Sequence, residues 1–358
     1  MVGLGVLAPD IRERYELSLT QIGFVLGATS IGSVLTLLAW GVVADRIGER
    51  LVIALGLSTA GVALVAAGLV HGFVPLAGLL VLAGITGASV NAASGRAVMH
   101  WFGQQQRGLA LGVRQTAIPI GGVAAALGLP HAGGARWGLA ALGLGCATGA
   151  LVAGLLIREA PNPTGPAPGR ALEPLRDRRM WRLSVGSALM LAPQICLVGF
   201  MVLFLHDRRG LGTAQAGAVL AAVNVLAIGT RIAAGHWSDV LGSRVVPLRR
   251  IALASAALVL VATALVSAPL VVLVPELIVT GCVVISWNGL AFTAAAEVAG
   301  PARSGAALGF QQTMLAVAGA VMPVAFGAIV AATTWRTGFG LAALGPLAGW
   351  RILRRLSA

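Results

Sequence analysis

Long uncharged apolar runs separated by short polar breaks fill this chain. Runs free of Asp, Glu, Lys and Arg occupy 17–44, 51–70, 72–95, 115–135, 138–157, 183–205, 210–230, 251–275, 277–296 and 304–335. Most reach the roughly 20 residues that carry a helix across a hydrocarbon core. They consist of Ala, Leu, Gly and Val without apolar–polar alternation, so they predict transmembrane helices rather than barrel strands. The small residues allow close helix packing. The run 17–44 reads as the second helix, because the opening run Met1–Ala8 rises only about 12 Å as helix before the polar segment 9–16. The expectation is an all-α integral membrane protein with about eleven complete spans and a partial helix 1. Met1 is read as an internal start, or the chain as a fragment lacking most of that helix. No basic region and no small-residue cleavage site mark a signal peptide.

Two decapeptides interrupt this pattern in related ways. GVVADRIGER at 41–50 is echoed by GHWSDVLGSR at 235–244, so Gly41, Asp45, Gly48 and Arg50 correspond to Gly235, Asp239, Gly242 and Arg244. Turn formers and charges are what a tight polar loop between membrane helices needs. A second repeat aligns RGLALGVRQT at 107–116 with SGAALGFQQT at 304–313, and Asn91 meets Asn288 at the same offset. Two parallel six-helix halves around a midplane cavity is a transporter architecture.

Composition agrees with a lipid solvent: 58% of the 358 residues are hydrophobic and 10% charged, with a mean hydropathy of +0.91. All 25 basic residues are arginine, which excludes a P-loop lysine and a Schiff-base lysine. With the Asp45 loop cytoplasmic, seventeen arginines fall inside, six outside, and Arg114 and Arg231 within or at the edge of spans. This is the positive-inside pattern. The expectation is a bacterial inner membrane with both termini of the complete protein cytoplasmic. Anionic lipid head groups account for the net charge of +13, so nucleic acid is not a partner. The Pro- and Arg-rich stretch 158–182 reads as a linker between an N-terminal bundle, 1–157, and a C-terminal bundle, 183–358. Cys146, Cys196 and Cys282 lie in apolar runs and read as packing residues. No cofactor or metal is expected, since neither the cysteines nor the histidines have ligand spacing. A monomer is expected.

The helix 2 to 3 pattern, with Gly41, Asp45, Arg46, Gly48 and Arg50 and its weaker second copy, resembles that of the major facilitator superfamily. The resemblance implies alternating access, a cavity lined by helices 1, 4, 7 and 10, and a cytoplasmic gate held by Asp45 against the start of helix 11 near Arg303 and Ser304. A carboxylate near a helix N-terminus is favourable by ~0.3–1 kcal/mol. The alternative is that Asp45 caps its own loop. The arginine that drug exporters of the family carry in the middle of helix 4 is missing, and Pro119-Ile120-Gly121-Gly122 is only part of their helix 5 signature.

Candidate chemistry is sparse. Arg114, about 9 Å into helix 5, is an intramembrane charge that fits an anionic substrate group or snorkels to the surface. Glu276, the one acid within apolar sequence, is a proton-coupling candidate or an outer-interface residue. Asn91, Gln115, Gln194, Asn288 and Gln312 are amides that line the cavity or join helices. No HExxH, acidic pair or catalytic domain points to an enzyme. The reading is a secondary transporter of a small solute, ion-coupled, with a small organic anion favoured. Its alternatives are a proton-coupled exporter of hydrophobic compounds and a non-transporting fragment.

Overall fold

The computed structural model describes residues 2–102, 107–158, 176–300 and 304–356, and they form helices joined by short turns. The first half comprises α1 (Val2–Val6), α2 (Ala8–Arg14), α3 (Leu19–Ile47), α4 (Glu49–Ala67), α5 (Phe73–Trp101), α6 (Arg107–Gly128) and α7 (Ala135–Leu156). The second comprises α8 (Arg178–Pro193), a π-helical turn at Gln194–Gly199, α9 (Met201–Arg209), α10 (Thr213–Val240), α11 (Val245–Ala264), α12 (Leu270–Ser286), α13 (Asn288–Ala299), α14 (Ser304–Ala332), α15 (Trp335–Ala342) and α16 (Leu344–Leu353).

Nine stretches among the described residues are long and apolar enough to cross a membrane. They are Leu19–Leu37, Glu49–Ala67, Phe73–Gly95, Ala135–Leu156, Arg178–Gly199, Thr213–Val240, Val245–Ala264, Leu270–Ala299 and Ala306–Ala332. The other two of the expected eleven correspond to α6, whose run is diluted by arginine, and to the α15–α16 pair, which breaks at Ala343.

Three local features differ from the sequence reading. The segment from Pro9 to Arg14, expected as a polar approach, is helical, because proline is tolerated in a first helical turn. Ser18 then starts α3 through a capping box with Gln21. The first decapeptide is mostly the end of α3: the turn itself is Gly48, whose φ of 83° suits glycine, with α4 starting at Glu49. Finally, α8 starts at Arg178, ahead of the apolar run, because the Asp177 side chain caps it by accepting from the Arg179 amide. The expected linker residues 159–175 lie outside the described residues.

The halves meet along two antiparallel seams, α3 against α14 and α6 against α10. Since α10 repeats α3 and α14 repeats α6 in sequence, the seams are exchanged copies of each other. Glycine permits both. A Cβ on Gly27 would lie 2.9 Å from the Ala320 carbonyl oxygen, and one on Gly217 would lie 2.5 Å from that of Ala126. Gly23 meets the Pro323 carbonyl in the same way. These approaches lie at the ends of the helices away from Gly48 and Gly242, here called the distal side; the opposite end is the motif side. A core of residues from both halves closes the distal side, including Leu7, Ile11, Leu26, Phe200, Phe204 and Phe326. Above it Arg12 of α2 pairs with Asp207 of α9, and Gly5 packs on the Gly199 carbonyl.

Candidate functional site

Polar side chains converge on the motif side of this seal, about 10 to 24 Å below the motif-side helix ends by helical rise. In the first half, contacts through Gly32 and Gly84 clamp α3 to α5, with Thr36 and Trp40 both donating to the Ile85 carbonyl at 2.8 and 2.7 Å. Asn91 and Ser94 follow on α5, and Arg114 of α6 reaches them. Its Nε donates to Ser94 Oγ at 2.9 Å, and Nη2 approaches Asn91 Oδ1 at 3.3 Å and the Asn91 carbonyl at 3.4 Å. Arg114 therefore turns toward α5 rather than back along its own helix, and its Nη2 remains exposed. Asn91 is exposed and Gln115 buried.

In the second half two helix interruptions face each other. Pro193 precedes the π-helical turn that begins at Gln194, and α12 ends at Ser286, with α13 restarting at Asn288. Asn288 Nδ2 donates to Gln194 Oε1 at 3.2 Å and to the Ile285 carbonyl at 2.9 Å. π-Turns often mark functional positions. Gln311 of α14 donates to Ser187 of α8 at 3.3 Å, and its neighbour Gln312 is partly buried.

Arg231 of α10 was placed within or at the edge of a span by its sequence but not among the candidate site residues. It looked like a span edge, yet α10 continues nine residues beyond it to Val240. Its Nε donates to the Ile285 carbonyl at 3.3 Å, and its Nη1 crosses the seam to the Gln115 carbonyl at 2.9 Å. The signal was legible as spacing: Pro119 stands four residues after Gln115, so that carbonyl has no intrahelical donor and needs an outside one. Trp287, fully buried beside Asn288, keeps its indole N–H without a partner among the described residues.

Glu276 sits early in α12, accepting from Thr280 Oγ1 at 2.6 Å, while its other oxygen is buried without a partner among the described residues. It belongs to the distal half, away from the amides.

Gly41 and Gly235 have open space around them, and Gly242, φ 59°, makes the turn into α11. Arg244 binds Asp239 and, at 3.0 Å, Glu297 on α13. Burial works against its charge, but the two carboxylates outweigh that and raise its pKa. The second motif copy thus fastens α10 to α13 within one half. In the first copy Arg46 and Arg50 are exposed on the motif side, and Glu49 is buried in the first turn of α4. The Asp45 side chain and Arg303 lie outside the described residues, as does the expected contact between them.

The family model of the Major Facilitator Superfamily matches residues 1–323. The chain belongs to the major facilitator superfamily. It is a multi-pass membrane transporter, as the superfamily's members are. An uncharacterized MFS-type transporter of Mycobacterium tuberculosis is 35% identical over 351 residues, 97% of this chain and 79% of that protein. A hexuronate transporter of Bacillus subtilis is 31% identical over 119 residues, 33% of this chain and 28% of that one. A bacterial homolog of the human lysosomal transporter Spinster, solved inward-facing and unoccupied, superimposes with a TM-score of 0.75 at 16% identity, covering 99% of this chain and 91% of that one.

Proposed function

We propose that this transporter carries a small organic anion by alternating access, coupled to an ion. The observation that supports the reading best is Arg114, an intramembrane guanidinium with an exposed nitrogen, held by neutral partners Ser94 and Asn91. Neutral hydrogen bonds orient a guanidinium without cancelling its charge, so it stays attractive to a carboxylate. The hexuronate transporter that matches a third of the chain has a carboxylate substrate by name.

In this reading Arg114, Asn91 and Gln115 hold the anion from the first half and Gln194, Asn288 and Gln312 from the second. Glu276, with one oxygen unpartnered among the described residues, takes and releases the coupling proton. The bundles are 1–157 and 183–358 with the linker 158–182 between them. The motif side is cytoplasmic and the membrane is the bacterial inner membrane. Asp45, Arg46 and Arg50, with Gly41 and with Gly48 that turns the chain, gate that side, while Gly235, Asp239, Gly242 and Arg244 keep the second half rigid.

The test is uptake into proteoliposomes across a panel of small organic anions, neutral sugars and hydrophobic cations, with and without a pH gradient. Anion uptake driven by the gradient and lost as a gradient response in Glu276→Gln supports the reading. Transport confined to hydrophobic cations overturns it.

A further inference from the structure

We infer that the transported anion carries two acidic groups, one held by Arg114 of α6 and one by Arg231 of α10. The inference rests on the anion reading above and narrows it. Charge balance carries it. Among the described residues both guanidiniums end on neutral oxygens: Arg114 on Ser94 and Asn91, Arg231 on the Ile285 and Gln115 carbonyls. Glu276, the acid nearest along α12, is nine residues before Ile285, about 13 Å by helical rise. Ion pairs at Arg12, Asp207, Asp239, Arg244 and Glu297 belong to the two ends of the molecule.

A charge at this depth is costly unless it is paired. The Gln115 carbonyl, orphaned by Pro119, needs only a donor, which an amide or hydroxyl would supply equally well. An arginine adds a full charge on top of that hydrogen bond. It also leaves Nη2 without a hydrogen-bond partner among the described residues, as Arg114 leaves Nη1. Arg231 lands on the carbonyl of Gln115, the residue next to Arg114 in the chain. One guanidinium sits on each side of the α6–α10 seam, so a dianion gives each half its own counter-ion. A monoanion leaves one half with an unpaired charge in every state.

The experiment uses the full chain in detergent and ligand-dependent thermal shifts with matched probes: glucuronate against glucarate, butyrate against succinate, benzoate against phthalate. Each pair differs by one carboxylate on a similar frame. The expected result is that the dianion of at least one pair binds about tenfold or more tighter than its monoanion, the scale of one charge-assisted hydrogen bond. Arg231→Gln then brings that ratio to within about twofold. A merely structural role for Arg231 would lower the melting temperature without ligand and leave the ratio alone. Arg231→Lys, which keeps the charge but not the planar fork, weakens the dianion several-fold while preserving the preference, and it serves if the glutamine variant does not fold. Equal affinities within every pair, or a preference unchanged in Arg231→Gln or lost in Arg231→Lys, overturn the inference and leave the anion reading standing. Binding of no probe overturns both.

Discussion

Arg231 donates to the Gln115 carbonyl at 2.9 Å across the seam between α10 and α6, and Pro119 is what leaves that carbonyl free. A helix defect in one half is thus completed by a charge from the other. Releasing this bond is part of any motion that parts α6 from α10, so the seam is a structural joint.

The two residues should be coupled in stability. Pro119→Ala restores an amide that satisfies Gln115 from within α6. Arg231→Met, which carries no donor, is expected to cost about 1–3 kcal/mol in the parent, the penalty for an unsatisfied buried group, and clearly less in the Pro119→Ala background. A double-mutant cycle on thermal or denaturant unfolding measures the difference; additivity within about 0.3 kcal/mol would remove the link.

The distal seal should depend on glycine. A methyl at Gly23 meets the Pro323 backbone carbonyl, which has no flexible end to yield. Gly23→Ala is expected to weaken distal closure by about 1–3 kcal/mol, as overpacking does. Spin labels on the distal ends of α3 and α14 should read a longer distance; an unchanged distance distribution would count against this seal.

Arg12 and Asp207 should matter for conformation more than for stability. Their pair is partly solvent-exposed, so Arg12→Gln should shift melting little, in line with the ~0–1 kcal/mol of such pairs. Modification of a cysteine placed beneath the pair should nevertheless speed up by up to about fivefold, the population shift that 1 kcal/mol permits. The charge swap Arg12→Asp with Asp207→Arg should return it toward the parent rate.

Arg244 gives a pH expectation. Its pKa is raised in the folded protein, so its stabilising contribution is complete below the ordinary arginine range and is lost only as pH rises through the still higher folded value. The destabilisation by Arg244→Gln should therefore be flat between neutral and mildly alkaline pH. A loss that fades across that range would point to a different titrating partner.

Much of the fold could be read from the chain because lipid leaves few choices. Uncharged runs of the right length became helices, and the repeat of 107–116 in 304–313 became the pseudo-symmetric pair α6 and α14. Helix ends were harder. Pro9–Arg14 looked like loop because it is charged, yet local capping decides ends, and proline and Asp177 each began a helix that hydropathy alone did not mark. At the site, the amide pair Gln194 and Asn288 was visible as polarity inside apolar runs, whereas their meeting at 3.2 Å depends on two helix interruptions that no single residue announces. Arg231 escaped because the uncharged run stopped at Thr230 while the helix did not.

The most direct test of the transport site is Arg114→Gln in proteoliposomes carrying the small organic anion that the wild type takes up best. Loss of one charge-assisted contact is expected to lower uptake at limiting substrate about 10- to 100-fold, with the melting temperature of the empty protein nearly unchanged because Ser94 keeps its bond to the Val90 carbonyl and Asn91 is exposed. Wild-type uptake by the variant, at equal affinity and rate, would contradict the account.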